Sequence, residues 1–159
     1  MKKMMKAVAF VLVVFCGLQA KAQAGWRMGI SINPGYATNS VYGFTLGSDI
    51  RVQKNLGDKN FFLLTTGITH FFDTEKTLDG FTYVPLKAGI KSYLAKRLYI
   101  AGEAGVGFGL NKGSDPSFLW SPSVGYSAKK IDVSIKYEDF NELQYVKQVA
   151  LRIAYGFKL

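Results

Sequence analysis

The residues best suited to catalysis do not stand in a catalytic pattern. His70 is the only histidine in the chain, and imidazole is the side chain most often used for proton transfer near neutral pH. It lies in the mostly apolar segment Ile68–Phe72, and no serine is close to it in sequence. Ser40 could approach it only across the first hairpins of the fold. We therefore expect His70 to have a packing role, and we expect the protein not to be an enzyme.

The glycines and the acidic residues do not have the spacing of known cofactor-binding or metal-binding motifs. The glycines within Gly102–Gly109 alternate with other residues in a strand-like segment, whereas phosphate-binding glycines form a turn that opens a helix. The acidic residues of Asp73–Glu75 and Asp79 do not have the spacing of a calcium loop. The sequence therefore predicts no cofactor, no metal site and no catalytic residues.

The N-terminal 24 residues have the layout of a secretory signal peptide. Three lysines, at positions 2, 3 and 6, precede the apolar and uncharged segment Ala7–Leu18. Small residues then occur in the pattern of a cleavage site at residues 20–22 and again at residues 22–24. The apolar segment is shorter than the ~20 residues that a membrane-spanning helix needs. We expect cleavage after Ala22 or Ala24, which leaves residues 25–159 as one mature domain.

Export restricts the chemistry and the partners of the mature chain. The single cysteine, Cys16, lies in the signal segment after Phe15, which is too large for the position before a lipidated cysteine. The mature chain then has no thiol for a disulfide or a nucleophile. Removing the four lysines of the signal segment lowers the net charge from +9 to +5. We do not expect an exported chain of this modest charge to bind nucleic acid.

The rest of the chain alternates large apolar residues with small or polar ones, which is the period of a β-strand. The pattern is clearest where apolar residues fill every second position from Val149 to Leu159. It predicts eight strands: Arg27–Tyr36, Tyr42–Val52, Phe61–Phe72, Phe81–Leu94, Leu98–Leu110, Phe118–Ala128, Ile131–Glu138 and Gln148–Leu159. Most are about 9–14 residues long, the length of a tilted strand that crosses a bilayer. No apolar run reaches ~18 residues, so membrane-spanning helices are excluded.

Turns and polar loops alternate between these strands. The turns are Lys54–Asn60, Ala95–Arg97 and Lys129–Lys130, and the loops are Ala37–Val41, Asp73–Gly80, Asn111–Ser117 and Asp139–Gln144. An even number of strands with alternating connections places both termini on the turn side. Pro34, Pro85 and Pro122 fall inside predicted strands, although a closed barrel has no edge for a residue without an N–H. We interpret them as bulges or lapses in pairing near the rim at the loop side.

The polar face of the strands indicates which side of the barrel faces inward. It carries charged residues, but also rows of glycine, serine, threonine and alanine. A solvent-exposed exterior rarely needs such small residues, whereas eight strands leave a lumen only wide enough for side chains. Aromatic residues collect at strand ends, as in interfacial girdles: Tyr36, Tyr42, Phe72, Phe81, Trp120 and Tyr137. We therefore predict an all-β, eight-stranded antiparallel transmembrane barrel, an up-and-down meander with its apolar face outward, rather than a soluble barrel with an apolar interior.

With this rhythm and signal segment, the chain resembles the small outer-membrane β-barrel proteins of the OmpA/OmpX type. The resemblance covers residues 25–159 and rests on the segments 83–87 (YVPLK), 99–107 (YIAGEAGVG) and 155–159 (YGFKL). It implies a multi-pass protein of the Gram-negative outer membrane with periplasmic termini. The implied partners are outer-membrane lipids and, during biogenesis, periplasmic chaperones and the barrel-assembly machinery. It also implies that Tyr155, Phe157 and Leu159 form the assembly signal, in which Leu159 replaces the usual phenylalanine.

A turn centred on Lys96 fixes the register between the fourth and fifth predicted strands. It sets Gly89 opposite Glu103, so that Lys87 and Lys91 are the two diagonal neighbours of Glu103. All three charged residues point inward in this phase, and two arginines are placed to join them from across the barrel. The expected lumen cluster consists of Glu103, Lys87, Lys91, Arg51 and Arg152. The alternative is that these residues line a wet lumen as separate solvated charges.

These expectations favour a structural or envelope-maintenance role for an outer-membrane protein with a plugged lumen. The turns are mostly basic and the loops mostly acidic, so we expect the short loops to face outside, where they are available for an external ligand that the sequence does not identify. Two alternatives stay open. A lipid-modifying barrel enzyme requires His70 to face a polar pocket, and a narrow pore requires a continuous water path past the lumen charges.

Overall fold

Eight antiparallel β-strands close into a barrel. The computed structural model describes residues 25–38, 42–74, 80–111, 114–140 and 146–158. The strands are β1 (Trp26–Ala37), β2 (Tyr42–Asn55), β3 (Asn60–Asp73), β4 (Phe81–Tyr93), β5 (Leu98–Gly109), β6 (Ser117–Ser127), β7 (Ile131–Phe140) and β8 (Lys147–Lys158). Each strand pairs with its neighbours in sequence, and β8 pairs with β1. This confirms the predicted up-and-down barrel of eight strands. The predicted signal peptide and Leu159 lie outside the described residues.

The alternation of residue types explains how the barrel wall is oriented. Large apolar side chains occupy one face of every strand and point away from the lumen; Ile30 is 52% exposed and Ile135 is 56% exposed. The positions between them, such as Ser31 and Ser134, are buried. The apolar face is therefore outward, as predicted.

The two ends of the barrel differ in the connections that they carry. Residues 56–59, 94–97 and 128–130 link strands at one end, which we call the turn end. Trp26 at the start of β1 pairs with Lys54 there, and Arg27 pairs with Lys158 of β8. The other four connections lie at the opposite end, the loop end. Both termini of the described barrel therefore lie at the turn end. Among the described residues, no helix is long and apolar enough to span a membrane.

Each proline inside a strand pairs on one side and interrupts the ladder on the other. Pro34 pairs with β2, but the β1–β8 ladder stops at Ile32 and resumes at Gly35 without a change of register. Pro85 and Pro122 interrupt the β3–β4 and β6–β7 ladders in the same way. Since proline has no N–H to donate, these sites are lapses in pairing rather than bulges. Pro122 lies in the middle of β6 and not near the rim.

Two residues of the predicted aromatic girdle, Tyr42 and Phe81, lie on the inside of the barrel. For Tyr42 the cause is a register shift at the start of β2. The shift lies in the β2–β3 ladder between Tyr42 and Thr45. Tyr42 consequently packs against an interior cluster, with its ring edge-on to Phe71 and the centroids 5.6 Å apart. Phe81 is also inside the barrel, because it shares the inward phase of Tyr83. The prediction that Tyr42 and Phe81 belong to the outward girdle is therefore wrong.

The interior changes character along the barrel axis. An apolar, largely aromatic cluster fills the loop end; it consists of Ala37, Phe71, Phe81, Tyr83, Leu119, Phe140 and Val146. Charged side chains fill the middle. A cavity of about 1050 Å³ occupies the turn end, and its lining extends inward as far as Asp132 and Arg152. The charged middle layer, which is the candidate site, therefore lies between a packed aromatic cap and an accessible cavity.

Candidate functional site

Charged side chains converge in the middle of the lumen from five strands. They occupy the face opposite the outward apolar residues because side chains alternate along a strand. None of them is more than 9% exposed: Asp49, Arg51, Lys87, Lys91, Glu103, Asp132, Lys136, Glu138 and Arg152. Burying a charge is costly unless it is paired and hydrogen-bonded. The partners of each group therefore decide what the cluster can do.

Glu103 on β5 forms an ion pair with Arg51 on β2. The guanidinium Nη2 lies 2.5 Å from Oε2 of the carboxylate, and both side chains are almost fully buried. Thr65 on β3 lies between them; its hydroxyl donates to Oε1 of Glu103 and accepts the Nε–H of Arg51 at 3.1 Å. Gly89 stands opposite Glu103, and a Cβ at that position would overlap the glutamate. The glycine therefore leaves room for the backbone and the first side-chain carbons of Glu103.

Lys87 and Lys91 lie in the lumen but bind carboxylates other than the predicted one. The β4–β5 register does place them diagonal to Glu103. However, the Nζ of Lys87 lies 2.5 Å from Glu138 and the Nζ of Lys91 lies 2.6 Å from Asp132, both on β7. The prediction that the two lysines flank Glu103 is therefore wrong about their partners. A lysine side chain is long enough to cross so narrow a lumen, and an arginine already occupies the position beside Glu103.

Arg152 on β8 binds aspartates on both sides. Its Nη2 lies 2.9 Å from Oδ1 of Asp49, its Nε also donates to that carboxylate, and its Nη1 lies 3.5 Å from Asp132. The side-chain amide of Asn33 donates to Asp49 at 2.9 Å. Sequence reasoning placed Arg152 in the lumen cluster without assigning it these partners.

Glu138 links the charged layer to the aromatic cluster above it. Besides Lys87, it accepts a hydrogen bond from the hydroxyl of Tyr83, which belongs to that cluster. Gln148 on β8 donates to the Tyr83 oxygen at 3.1 Å and accepts from Thr45 at 2.6 Å. The polar network is therefore continuous with the apolar cap.

Sequence reasoning missed the aromatic cap at the loop end. Tyr83 and Phe140 pack edge-to-face with ring centroids 4.7 Å apart, and Phe71 packs against Tyr83 at 6.0 Å. The signal was present in the phase of the strands. Phe71, Tyr83 and Leu119 are large apolar residues at positions where their strands otherwise carry small or polar side chains. Such exceptions to the alternation mark where an interior is packed instead of hydrated.

His70 does not occupy a polar pocket. Its Nδ1 lies 2.7 Å from the hydroxyl of Thr82, and its ring packs edge-on against Phe72 with centroids 4.5 Å apart. It is near the loop end of β3, away from the turn-end cavity. Within the part of the chain that the structure describes, no group of three or more side chains is placed to hold a metal ion.

Two residues of the proposed assembly signal point outward on β8. Tyr155 is 48% exposed and Phe157 is 41% exposed, and the third residue, Leu159, lies outside the described range. Both side chains therefore lie on the outer surface of the barrel and not in the lumen.

The architecture is that of the small eight-stranded transmembrane β-barrels found in outer membranes. The chain is similar to the Yersinia pestis outer membrane protein Ail in a phospholipid nanodisc, with a TM-score of 0.58 and 16% identity over 82% of this chain and 99% of that one. It is similar to Neisserial surface protein A, with a TM-score of 0.56 and 12% identity over 84% and 96%. A designed transmembrane β-barrel gives a TM-score of 0.57 and 15% identity over 85% and 98%. No family model and no curated protein matches the chain. At these identities the likeness establishes the fold.

Proposed function

We propose that the protein is an integral outer-membrane barrel with a closed interior and a structural role in maintaining the envelope. The observation that carries this proposal is the filling of the lumen. Close ion pairs cross the middle of the barrel, and an aromatic cap is packed above them at the loop end. A barrel closed in this way presents no continuous water path from one end to the other.

The outward face supports insertion into a membrane. Apolar side chains on all eight strands are exposed, among them Ile32 at 57% and Leu86 at 51%. A water-soluble monomer rarely exposes a continuous apolar surface of this extent. A signal peptide at residues 1–24 would deliver the chain to the periplasm. From there, chaperones and the barrel-assembly machinery would insert it, with Tyr155, Phe157 and Leu159 as the signal that is read.

Basic residues at the turn end support a periplasmic position for that end. Three outward aromatic rings there each lie beneath a cation: Trp26 under Lys54 at 5.4 Å, Tyr126 under Arg97 at 5.8 Å, and Tyr155 under Lys130 at 5.9 Å. Such pairs fit an interface in which the ring meets the acyl region and the cation meets an anionic headgroup. Each cation near an anionic surface contributes about 1 kcal/mol.

Epitope tags test this orientation. A tag inserted within Asp73–Gly80, in the loop-end connection between β3 and β4, should be reached by antibody on intact cells. A tag beside Lys129, in the turn between β6 and β7, should be reached only after the outer membrane is permeabilised. Labelling in the reverse pattern would place the acidic loops in the periplasm and invert the proposed topology.

Planar bilayers test whether the interior is closed. The purified protein should give no steady ion conductance, because the ion pairs and the aromatic cap leave no continuous aqueous path. A conducting porin inserted into the same bilayers provides the positive control. A stable open channel in the unmutated protein would favour the narrow-pore alternative, with the turn-end cavity as its vestibule.

The other candidate functions have less support from the described residues. A lipid-modifying enzyme needs a histidine in a polar pocket, whereas His70 packs against Phe72 and Thr82. The neighbour Ail has been described in complex with the heparin analogue sucrose octasulfate. The loops of the present chain carry more acidic than basic residues, which disfavours a sulfated ligand. An external ligand of the loops would therefore be cationic or neutral.

A further inference from the structure

The buried charges of the lumen do not balance. Five cations point into the middle of the lumen, namely Arg51, Lys87, Lys91, Lys136 and Arg152, and four carboxylates point there with them, namely Asp49, Glu103, Asp132 and Glu138. The fifth buried carboxylate, Asp139, has the outward phase of Tyr137, accepts a hydrogen bond from that tyrosine and pairs with Lys147. The described lumen therefore holds one surplus positive charge. An uncompensated charge in a buried site is among the costliest features a fold can carry.

The pairing pattern identifies Lys136 as the surplus cation. Each of the four carboxylates has a cation at 2.5–2.9 Å, and none of those four cations is Lys136. The Nζ of Lys136 lies 3.4 Å from Oε2 of Glu138, an oxygen that Lys87 already contacts at 2.5 Å. Lys136 is nevertheless buried, with an exposure of only 4%. Its ammonium group is therefore buried, and its one carboxylate contact among the described residues is a hydrogen bond of 3.4 Å to an oxygen that it shares with Lys87.

Unpaired hydroxyl groups lie on the strand beside this ammonium. Ser123 of β6 stands directly opposite Lys136 in the β6–β7 ladder, and Ser121 precedes it by two residues on the same inward face. The hydroxyl oxygens of both serines are buried and have no hydrogen-bond partner among the described residues. Ser121 is 1% exposed. The lapse in pairing at Pro122 lies between the two serines, so this is a locally loosened part of the wall.

We infer that a small monovalent anion, of which chloride is the simplest, binds in the lumen beside Lys136. The ammonium group supplies the balancing positive charge, and the hydroxyls of Ser121 and Ser123 supply neutral donors that can turn toward the anion. One bound anion neutralises the five-to-four imbalance and satisfies the unpaired hydroxyls together. The turn-end cavity reaches Asp132 and Arg152, and Asp132 precedes Lys136 by four residues on β7, so an ion would approach the site from the turn end.

The test compares the stability of the refolded barrel in two salts. Urea unfolding is measured in sodium chloride and in sodium gluconate at equal ionic strength, because gluconate carries the same charge as chloride but is much larger. We expect a higher urea midpoint in chloride, rising with chloride concentration as for any ligand of the folded state. In Lys136→Met the difference between the two salts should disappear. In the double variant Ser121→Ala, Ser123→Ala it should shrink while the ammonium group remains.

Lys129→Met is the matched control, since Lys129 is exposed in the turn between β6 and β7; the chloride dependence should survive this change. The dependence on the anion is read separately from the absolute midpoint, so a change in overall stability in Lys136→Met does not obscure the result. Equal midpoints in the two salts for the unmutated protein would overturn the proposal. So would a chloride dependence that persists in Lys136→Met.

Discussion

Replacing Glu103 with alanine should lower the urea midpoint of the refolded barrel, with a loss approaching 3–5 kcal/mol of unfolding free energy, about the cost of removing one partner of a buried ion pair. The carboxylate receives Arg51 at 2.5 Å and the hydroxyl of Thr65. Its removal leaves a guanidinium group 2% exposed with no carboxylate in contact. Water entering from the turn-end cavity would reduce the loss without abolishing it.

Two further variants separate the charge from the hydrogen bonds. Glu103→Gln should lose less than Glu103→Ala, because the amide oxygen still accepts from Arg51 and the amide N–H still reaches Thr65. Asp58→Ala is the control, since Asp58 is an exposed carboxylate in the turn between β2 and β3; surface changes of this kind usually stay within about 0.5 kcal/mol. An unchanged midpoint in Glu103→Ala would show that the ion pair does not hold the lumen together.

Ile135→Arg should destabilise the barrel in a bilayer by about 2–4 kcal/mol, the cost of an arginine on the lipid-facing side at the membrane midplane. Ile135 lies near the middle of β7 and is 56% exposed. On a water-soluble barrel the same change would replace an exposed apolar group with a charged one and would cost little. The size of the loss therefore distinguishes a lipid-facing surface from a water-facing one. It is measured by urea unfolding of the protein from lipid vesicles.

The matched control for Ile135→Arg is the same substitution at the edge of the apolar band. Leu98 is the first residue of β5 and is 43% exposed at the turn end. Because the penalty falls to about 0–1 kcal/mol near the interface, Leu98→Arg should have a small effect. Equal losses at the two positions would argue against a membrane centred on the middle of the strands.

The strands and their outward face were predictable because the period-two alternation is a local property. Each strand presents one apolar face, and the short turn at residues 94–97 fixes the β4–β5 register without knowledge of the rest of the fold. The placement of Gly89 opposite Glu103 follows from that turn alone. Local patterns of this kind determine the wall of a barrel almost completely.

The partners across the lumen could not be predicted in the same way. Lys87 meets Glu138 and Lys91 meets Asp132 because the closed barrel brings the inward faces of β4 and β7 within reach of each other. Those distances depend on all eight strands at once. Tyr42 was misplaced for a related reason, since a single irregularity in β2 reverses its side. Local periodicity therefore does not predict which partners long side chains reach across the lumen, or where a one-residue shift reverses the side on which a residue lies.

The three prolines divide the wall into panels. Proline interrupts the β8–β1 ladder at Pro34, the β3–β4 ladder at Pro85 and the β6–β7 ladder at Pro122. Between these three gaps lie the groups β1 to β3, β4 to β6, and β7 with β8; within them the β2–β3 ladder has the register shift near Tyr42. Under lateral pressure we expect the barrel to bend at these three gaps in its hydrogen bonding, while each group of strands between them, a panel, keeps its shape. The cross-section of this barrel is therefore expected to comply with the bilayer as a three-sided shell, and the backbone amides beside Pro34, Pro85 and Pro122 should exchange with deuterium before those within the panels.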